Sequence, residues 1–184
     1  MHTDLKVVSE ELELINESFI KYQNLDPEMK ALNNLLLQNN ITGCTVMINL
    51  SLKQECKNIP ENCIMHDWWL GLIASAFGEI SFINEQTILY RQHSMNEVGA
   101  KNYNSYKFIL GKINSTSQSI ENGIKQGIEF FNMYKSSLSD KDLKIVKVFI
   151  SLKSKNIIDR KLCIFSNKFY QSGLIRNIGY ILFI

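Results

Sequence analysis

One segment limits the fold of this chain more than any other. It is Trp68-Trp-Leu-Gly-Leu-Ile-Ala-Ser-Ala-Phe77, a run without a single charge. Helical spacing places apolar side chains on almost every face of it, and a helix apolar all round must be covered all round. Asp67 stands where an N-cap belongs, and Gly78 where a helix commonly ends. A buried helix therefore lies at the centre of the molecule, and the flanking segments have to enclose it. The apolar share of 45% is enough for such a core, and 21% charged residues is ordinary for a globular chain.

At 184 residues the length fits one domain with an appendage. Asp4–Val8 reads as a short strand. Residues 9–25 carry Leu12, Ile15, Phe19 and Tyr22 at helical spacing. Pro27 suits a first helical turn, and Glu28–Gln38 has helix-forming composition, ended by Asn39-Asn40. Ile41–Leu50 is β-branched and apolar and predicts a buried strand. Gly43 within it marks a place where another group approaches the backbone closely. Ser51–Cys56 predicts a short helix. Beyond Gly78, Ile80–Ile83 and Thr87–Gln92 read as two strands joined by Asn84-Glu85-Gln86. From Tyr103 the periodicity turns helical, with helices expected near 103–118, 119–137, 140–155 and 158–171. A mixed α/β part over 1–100 is thus followed by a helical extension over 101–184.

Charge and cysteines narrow the function classes. A net charge of +2 and the absence of a dense Lys/Arg stripe give no sign of nucleic-acid binding. The segment from Lys141 to Arg176 is locally basic, which fits a solvated face or contact with anionic lipid headgroups. Cys44, Cys56, Cys63 and Cys163 match no CxxC or zinc spacing and read as reduced thiols of a cytoplasmic protein. No apolar run reaches the roughly 18–20 residues that span a bilayer. The C-terminal Leu174–Ile184 is too short to cross, although it can enter an interface.

Polar residues gather at the ends of the apolar elements. Asp67 is a helix cap, a general base, or both, because a carboxylate held at a helix start keeps one orientation. His66 is its hydrogen-bonding neighbour or an exposed loop residue. Arg91 and His93, two apart, share a strand face and suit a pyrophosphate-like anion, with or without a hard cation. Arg91 has a structural alternative in an ion pair with Asp67 or Glu85, and His93 in a polar rim. Trp68 and Trp69 point in different directions, so either both serve the core or one faces a cleft suited to sugar stacking. An unrelated metal-dependent hydrolase using Asp67 and His93 is a further possibility on the same residues.

The order of these pieces carries a resemblance. Asn40-Ile-Thr-Gly-Cys-Thr-Val-Met-Ile-Asn49, Pro60, His66-Asp-Trp-Trp69, Phe77-Gly78, Tyr90-Arg-Gln-His93 and Asn96 with Val98-Gly99 resemble bacterial family-two glycosyltransferases, in particular rhamnosyltransferase-like members that build surface polysaccharide or O-antigen-type glycans. The resemblance implies an α/β chain whose first 100 residues are the C-terminal, acceptor-side part of a GT-A, Rossmann-like domain. It implies that Asp67 is the base in an inverting transfer from a nucleotide-diphosphate sugar to a glycan or lipid-linked acceptor. Thr42, Gly43, His66, Trp68, Trp69 and Arg91 would then bind donor or acceptor, and His93 would be a ligand to divalent Mg or Mn. Family members place a nucleotide-binding half with an Asp-rich metal motif first, whereas Met1–Val8 resembles the strand that follows that motif. The only Asp-x-Asp spacing here, Asp140-Lys-Asp142, lies in the helical tail. The resemblance therefore leads one to expect a truncated transferase acting with a partner chain that supplies the donor-binding half. It also leads one to expect a cytoplasmic location, peripheral at the inner membrane face through the C-terminal helices. The rival expectation is a non-catalytic interaction or membrane-docking module of the same origin.

Overall fold

The computed structural model describes residues 1–61, 63–93 and 113–184. Among them are one three-stranded sheet and eight α-helices, so the chain is mixed α/β. The sheet order is β2-β1-β3, with β1 at His2–Val8, β2 at Leu14–Asn16 and β3 at Phe82–Arg91. The central strand pairs antiparallel with β2 and parallel with β3. The crossover between the parallel strands holds four helices: α1 (Phe19–Tyr22), α2 (Leu32–Leu35), α3 (Leu50–Glu55) and α4 (His66–Phe77). The C-terminal part is all helical, with α5 (Ile113–Tyr134), α6 (Asp140–Ile150), α7 (Ile157–Ser166) and α8 (Leu174–Phe183).

The uncharged helix is buried as its composition requires. Trp69, Leu72 and Ile73 of α4 are fully buried in a core that runs from Leu32 of α2 to Tyr180 of α8. Residues on both sides of position 100 thus share one core. Trp69 packs edge-on to Phe130 at 5.8 Å, and Phe130 lies 5.1 Å from Tyr134. Tyr134 closes the cluster by donating its hydroxyl to Glu55 O at 3.0 Å. A smaller cluster on the sheet joins Leu5 and Val7 of β1 to Phe19, Tyr22, Ile88 and Tyr90.

Several sequence expectations are corrected. Ile41–Leu50 is not a strand: it is a loop with a 3₁₀ turn at Gly43–Thr45, and Met47 is 65% exposed. Local polar side chains take the backbone groups that a ladder would need. Asn39 Oδ1 accepts from Ile41 N at 3.0 Å, and Asn49 Oδ1 caps α3 through Leu52 N at 2.9 Å. The expected hairpin at 80–92 is one continuous strand, β3, because residues 84–86 stay extended beside β1. A bulge absorbs the mismatch: the register passes from Thr3↔Ile83 to Asp4↔Gln86. The expected helix over Glu28–Gln38 shrinks to Leu32–Leu35, since Asp26 Oδ1 holds Glu28 N in a turn and Ala31 is extended. Residues 140–155 divide into α6 and a 3₁₀ turn at Leu152–Ser154. The expected helix over 158–171 ends at Ser166. Asn96, Val98, Gly99 and the first part of the expected 103–118 helix lie outside the described residues.

The C-terminal segment is tied to the α2 region by side chains. Asn34 Nδ2 donates to Tyr170 O at 3.0 Å, Ser172 N to Gln38 Oε1 at 2.7 Å, and Arg176 Nη1 to Asn24 O at 2.6 Å. No helix among the described residues is long and apolar enough to cross a membrane.

Candidate active site

Asp67 lies in the first turn of α4, but it does not cap the helix. Met65 is the N-cap residue, with no side-chain capping bond, and Asp67 follows His66 inside the first turn. A carboxylate there still meets the positive end of the helix dipole. It is 7% exposed, and two donors fix it. Trp68 N donates to Oδ1 at 3.0 Å, and Asn39 Nδ2 to Oδ2 at 3.2 Å. Only three ion pairs form among the described residues, all at the surface and none involving Asp67. The buried charge is therefore balanced by amides and by the helix end.

Gly43 explains its own identity. A β-carbon there would stand 3.1 Å from Asp67 Oδ2 and 3.2 Å from His66 Nε2. The close approach expected at Gly43 is thus real, and the approaching groups are the His66 and Asp67 side chains. Thr45, at the other end of the same turn, anchors it to the sheet: Thr3 N donates to Thr45 Oγ1 at 3.3 Å, and Thr45 Oγ1 lies 3.0 Å from Thr3 O. Thr42 contributes its carbonyl, which accepts from Thr45 N at 3.0 Å. Asp67, His2, Met47 and Glu79 are among the residues lining a cleft of about 30 Å³, room for one water or one hydroxyl group. Free thiols also feel this site. Burial raises the Cys44 and Cys63 pKa values, and the Asp67 charge adds to both shifts.

Other expected site residues stand apart. Arg91 ends β3 opposite Val8, whereas the Gly43 turn is bound to Thr3. Roughly 15 Å of extended strand separates these two positions. Asp67 and Arg91 therefore form no ion pair, and the expected gathering of Asp67, Arg91 and His93 at one place does not occur. Arg91 and His93 are both exposed. Among the described residues no three His, Cys, Asp or Glu side chains stand together as a metal site.

The tryptophans divide. Trp69 is core, while Trp68 donates its indole N–H to Leu35 O and faces a separate cavity of about 430 Å³ between α4, α5 and α8. Trp68 is thus turned away from the Gly43 turn rather than stacked beside Asp67.

Sequence reasoning missed three residues. Asn39 looks like a helix terminator but orients Asp67. Asp4 looks like an ordinary strand residue. It is 2% exposed and binds Leu5 N at 2.8 Å, Ile20 N at 3.1 Å and the Ser18 hydroxyl, joining β1 to α1. His2 is 1% exposed, and its Nδ1 has no hydrogen-bond partner. Burial, followed by the neighbouring α-amino charge, lowers its pKa to about 4. The one signal for the last two was the placing of His-Thr-Asp inside an apolar strand. No protein-family model, curated protein or solved structure matches the chain.

Proposed function

We propose that this chain carries the acceptor-side, catalytic-base part of an inverting GT-A-type glycosyltransferase that uses nucleotide-linked sugars. One observation carries the reading: the seat of Asp67. It is a buried carboxylate at the positive end of a rigid helix, aimed by Asn39 against a turn where a β-carbon at Gly43 would crowd its Oδ2 at 3.1 Å. The space beside it accepts a single hydroxyl. A general base needs this fixed aim.

In the proposed step Asp67 takes the proton of the acceptor hydroxyl as its oxygen bonds to the anomeric carbon of the donor. The bond from that carbon to the diphosphate oxygen breaks, and the nucleoside diphosphate leaves with the electron pair, inverting the centre. Arg91 and His93 take no part in the step as written, because the strand holds them far from Asp67. A divalent metal would neutralise the departing diphosphate, but the described residues do not by themselves form its site. The edge strand β3 supports the reading from another side. Among the described residues it runs for ten residues at the rim of the sheet, with Ile83 36% and Leu89 57% exposed. Such an edge is a template for further sheet, suited to the donor-binding half of a transferase.

The test is transfer from UDP-, GDP- and dTDP-sugars to a glycolipid fraction, using this chain together with the polypeptides that co-purify with it. The reading expects nucleoside diphosphate release that requires the glycolipid. Release that ignores the acceptor would point to a hydrolase instead.

A second reading, a membrane-docking module, has its own support. Ile158, Leu162 and Phe165 of α7 and Leu174 and Leu182 of α8 are 53–75% exposed. Residues 152–184 carry Lys153, Lys155, Arg160, Lys161, Lys168 and Arg176 against Asp159 alone, a balance that favours anionic headgroups. Co-sedimentation with phosphatidylglycerol vesicles, lost in Leu162→Asp, is its expected signature; binding indifferent to that change would remove it.

A further inference from the structure

A further cavity lies away from Asp67, and the proposed transfer step does not use it. It measures about 430 Å³, within the range of about 300–1,000 Å³ typical of small-molecule sites. Its apolar walls include Leu36, Trp68, Ile120, Phe149, Tyr180 and Phe183. Helix α8 lines it from Ile175 to Phe183, which at helical rise is roughly 12 Å of length.

Three features give the space a direction and an occupant. At its α8 N-terminal end stands Arg176, whose guanidinium donates to Asn24 O at 2.6 Å, Ser172 O at 2.8 Å and Gln23 O. A positive charge is thereby fixed at one end of an apolar channel. One turn further, on the same face, Tyr180 is 2% exposed and its hydroxyl has no hydrogen-bond partner. Between them Gly179 opens onto empty space, since a β-carbon there would meet nothing within 4 Å. A glycine in a helix costs stability relative to alanine, and here no crowding requires it. Keeping the channel clear does.

We propose that this cavity binds a single-chain anionic amphiphile of the fatty-acid class, its carboxylate at Arg176 and its alkyl chain along α8. An elongated apolar channel takes one flexible chain, and a guanidinium recognises a carboxylate by charge-assisted hydrogen bonds. The site is open on its α8 side, where it shares Leu182 with the exposed apolar face, but none of its described lining residues comes from α7.

The probe is cis-parinaric acid, titrated into detergent-free protein and read by energy transfer from tryptophan. Saturable one-to-one binding is expected. Gly179→Leu puts bulk where a β-carbon meets nothing within 4 Å and should weaken binding at least ~10-fold, while the melting temperature holds or rises. Arg176→Gln should weaken the acid but leave the corresponding alcohol unchanged, whereas Leu162→Asp on the exposed face should leave both intact. Absence of saturable binding, unchanged affinity in Gly179→Leu, or loss of binding in Leu162→Asp would each overturn the proposal. Should Gly179→Leu lower the melting temperature, solvent extraction of wild-type protein and mass spectrometry decide: a co-purified single-chain acid supports the site, and its absence refutes it.

Discussion

Asp67 and Trp68 are adjacent in sequence, yet they open onto spaces of opposite character. Asp67 lines a cleft of about 30 Å³, and Asn39, a backbone amide and the Gly43 turn leave its carboxylate little freedom. Trp68 faces a cavity of about 430 Å³ with mostly apolar walls and a glycine that fills none of it. The first space suits chemistry at one atom, and the second suits the holding of a flexible chain. Both depend on one helix, whose fourth residue, Trp69, is locked in the aromatic core. A helix apolar on most faces can serve two sites because burial fixes its rotation.

Removing that lock should damage both spaces together. Trp69→Ala is expected to cost about 3–5 kcal/mol, measured by urea unfolding, and a cost below about 1 kcal/mol would mean that α4 is held by something other than its core. The polar side alone should respond to acid. His2 is depressed to about 4 from 6.5, so between those values the unfolded chain binds a proton that the folded chain refuses. Stability should be flat above about pH 7 and fall as pH drops from 6.5 toward 4, by on the order of 3 kcal/mol. His2→Phe, which keeps a ring against Phe82, should flatten that limb; an unchanged limb would assign it to other groups.

Finer effects separate the cleft from the rest of the molecule. Gly43→Ala puts a β-carbon against Asp67 Oδ2 and should slow transfer roughly 10-fold with little change in fatty-acid binding. Equal loss of both would join what the comparison separates. The smallest effect is expected at Leu89→Lys on the exposed edge of β3, within about 0.5 kcal/mol in stability, yet with reduced recovery of co-purifying polypeptide in pull-downs.

The sequence was most readable where one residue type has one strong reason. The uncharged run from Trp68 to Phe77, the close approach at Gly43 and the helical character of residues 113–184 follow from period, size and composition. It was least readable where side chains compete with the backbone. Ile41–Leu50 has strand composition, but Asn39 takes the Ile41 amide and Thr42 O the Thr45 amide, which turns the chain there. The break expected at Asn84-Glu85-Gln86 vanished because pairing with β1 outweighed local turn preference. Arg91 and His93 looked like partners of Asp67 because an order of motifs carries no distance. The register of two parallel strands does, and it sets them at opposite ends of the sheet. The large cavity was invisible for a similar reason: its walls come from α4, α5, α6, α8 and the segment that follows α2, and no local pattern announces such a space.

The most direct test of the account is the transfer rate of Asp67→Asn, measured beside nucleoside-diphosphate affinity and melting temperature. Asparagine preserves the shape and the Trp68 N–H contact but cannot take a proton. A fall of about 100- to 10,000-fold in rate, with affinity and melting temperature nearly unchanged, is the predicted result. Transfer at the wild-type rate, or a loss that merely follows a lower melting temperature, would contradict Asp67 as the base.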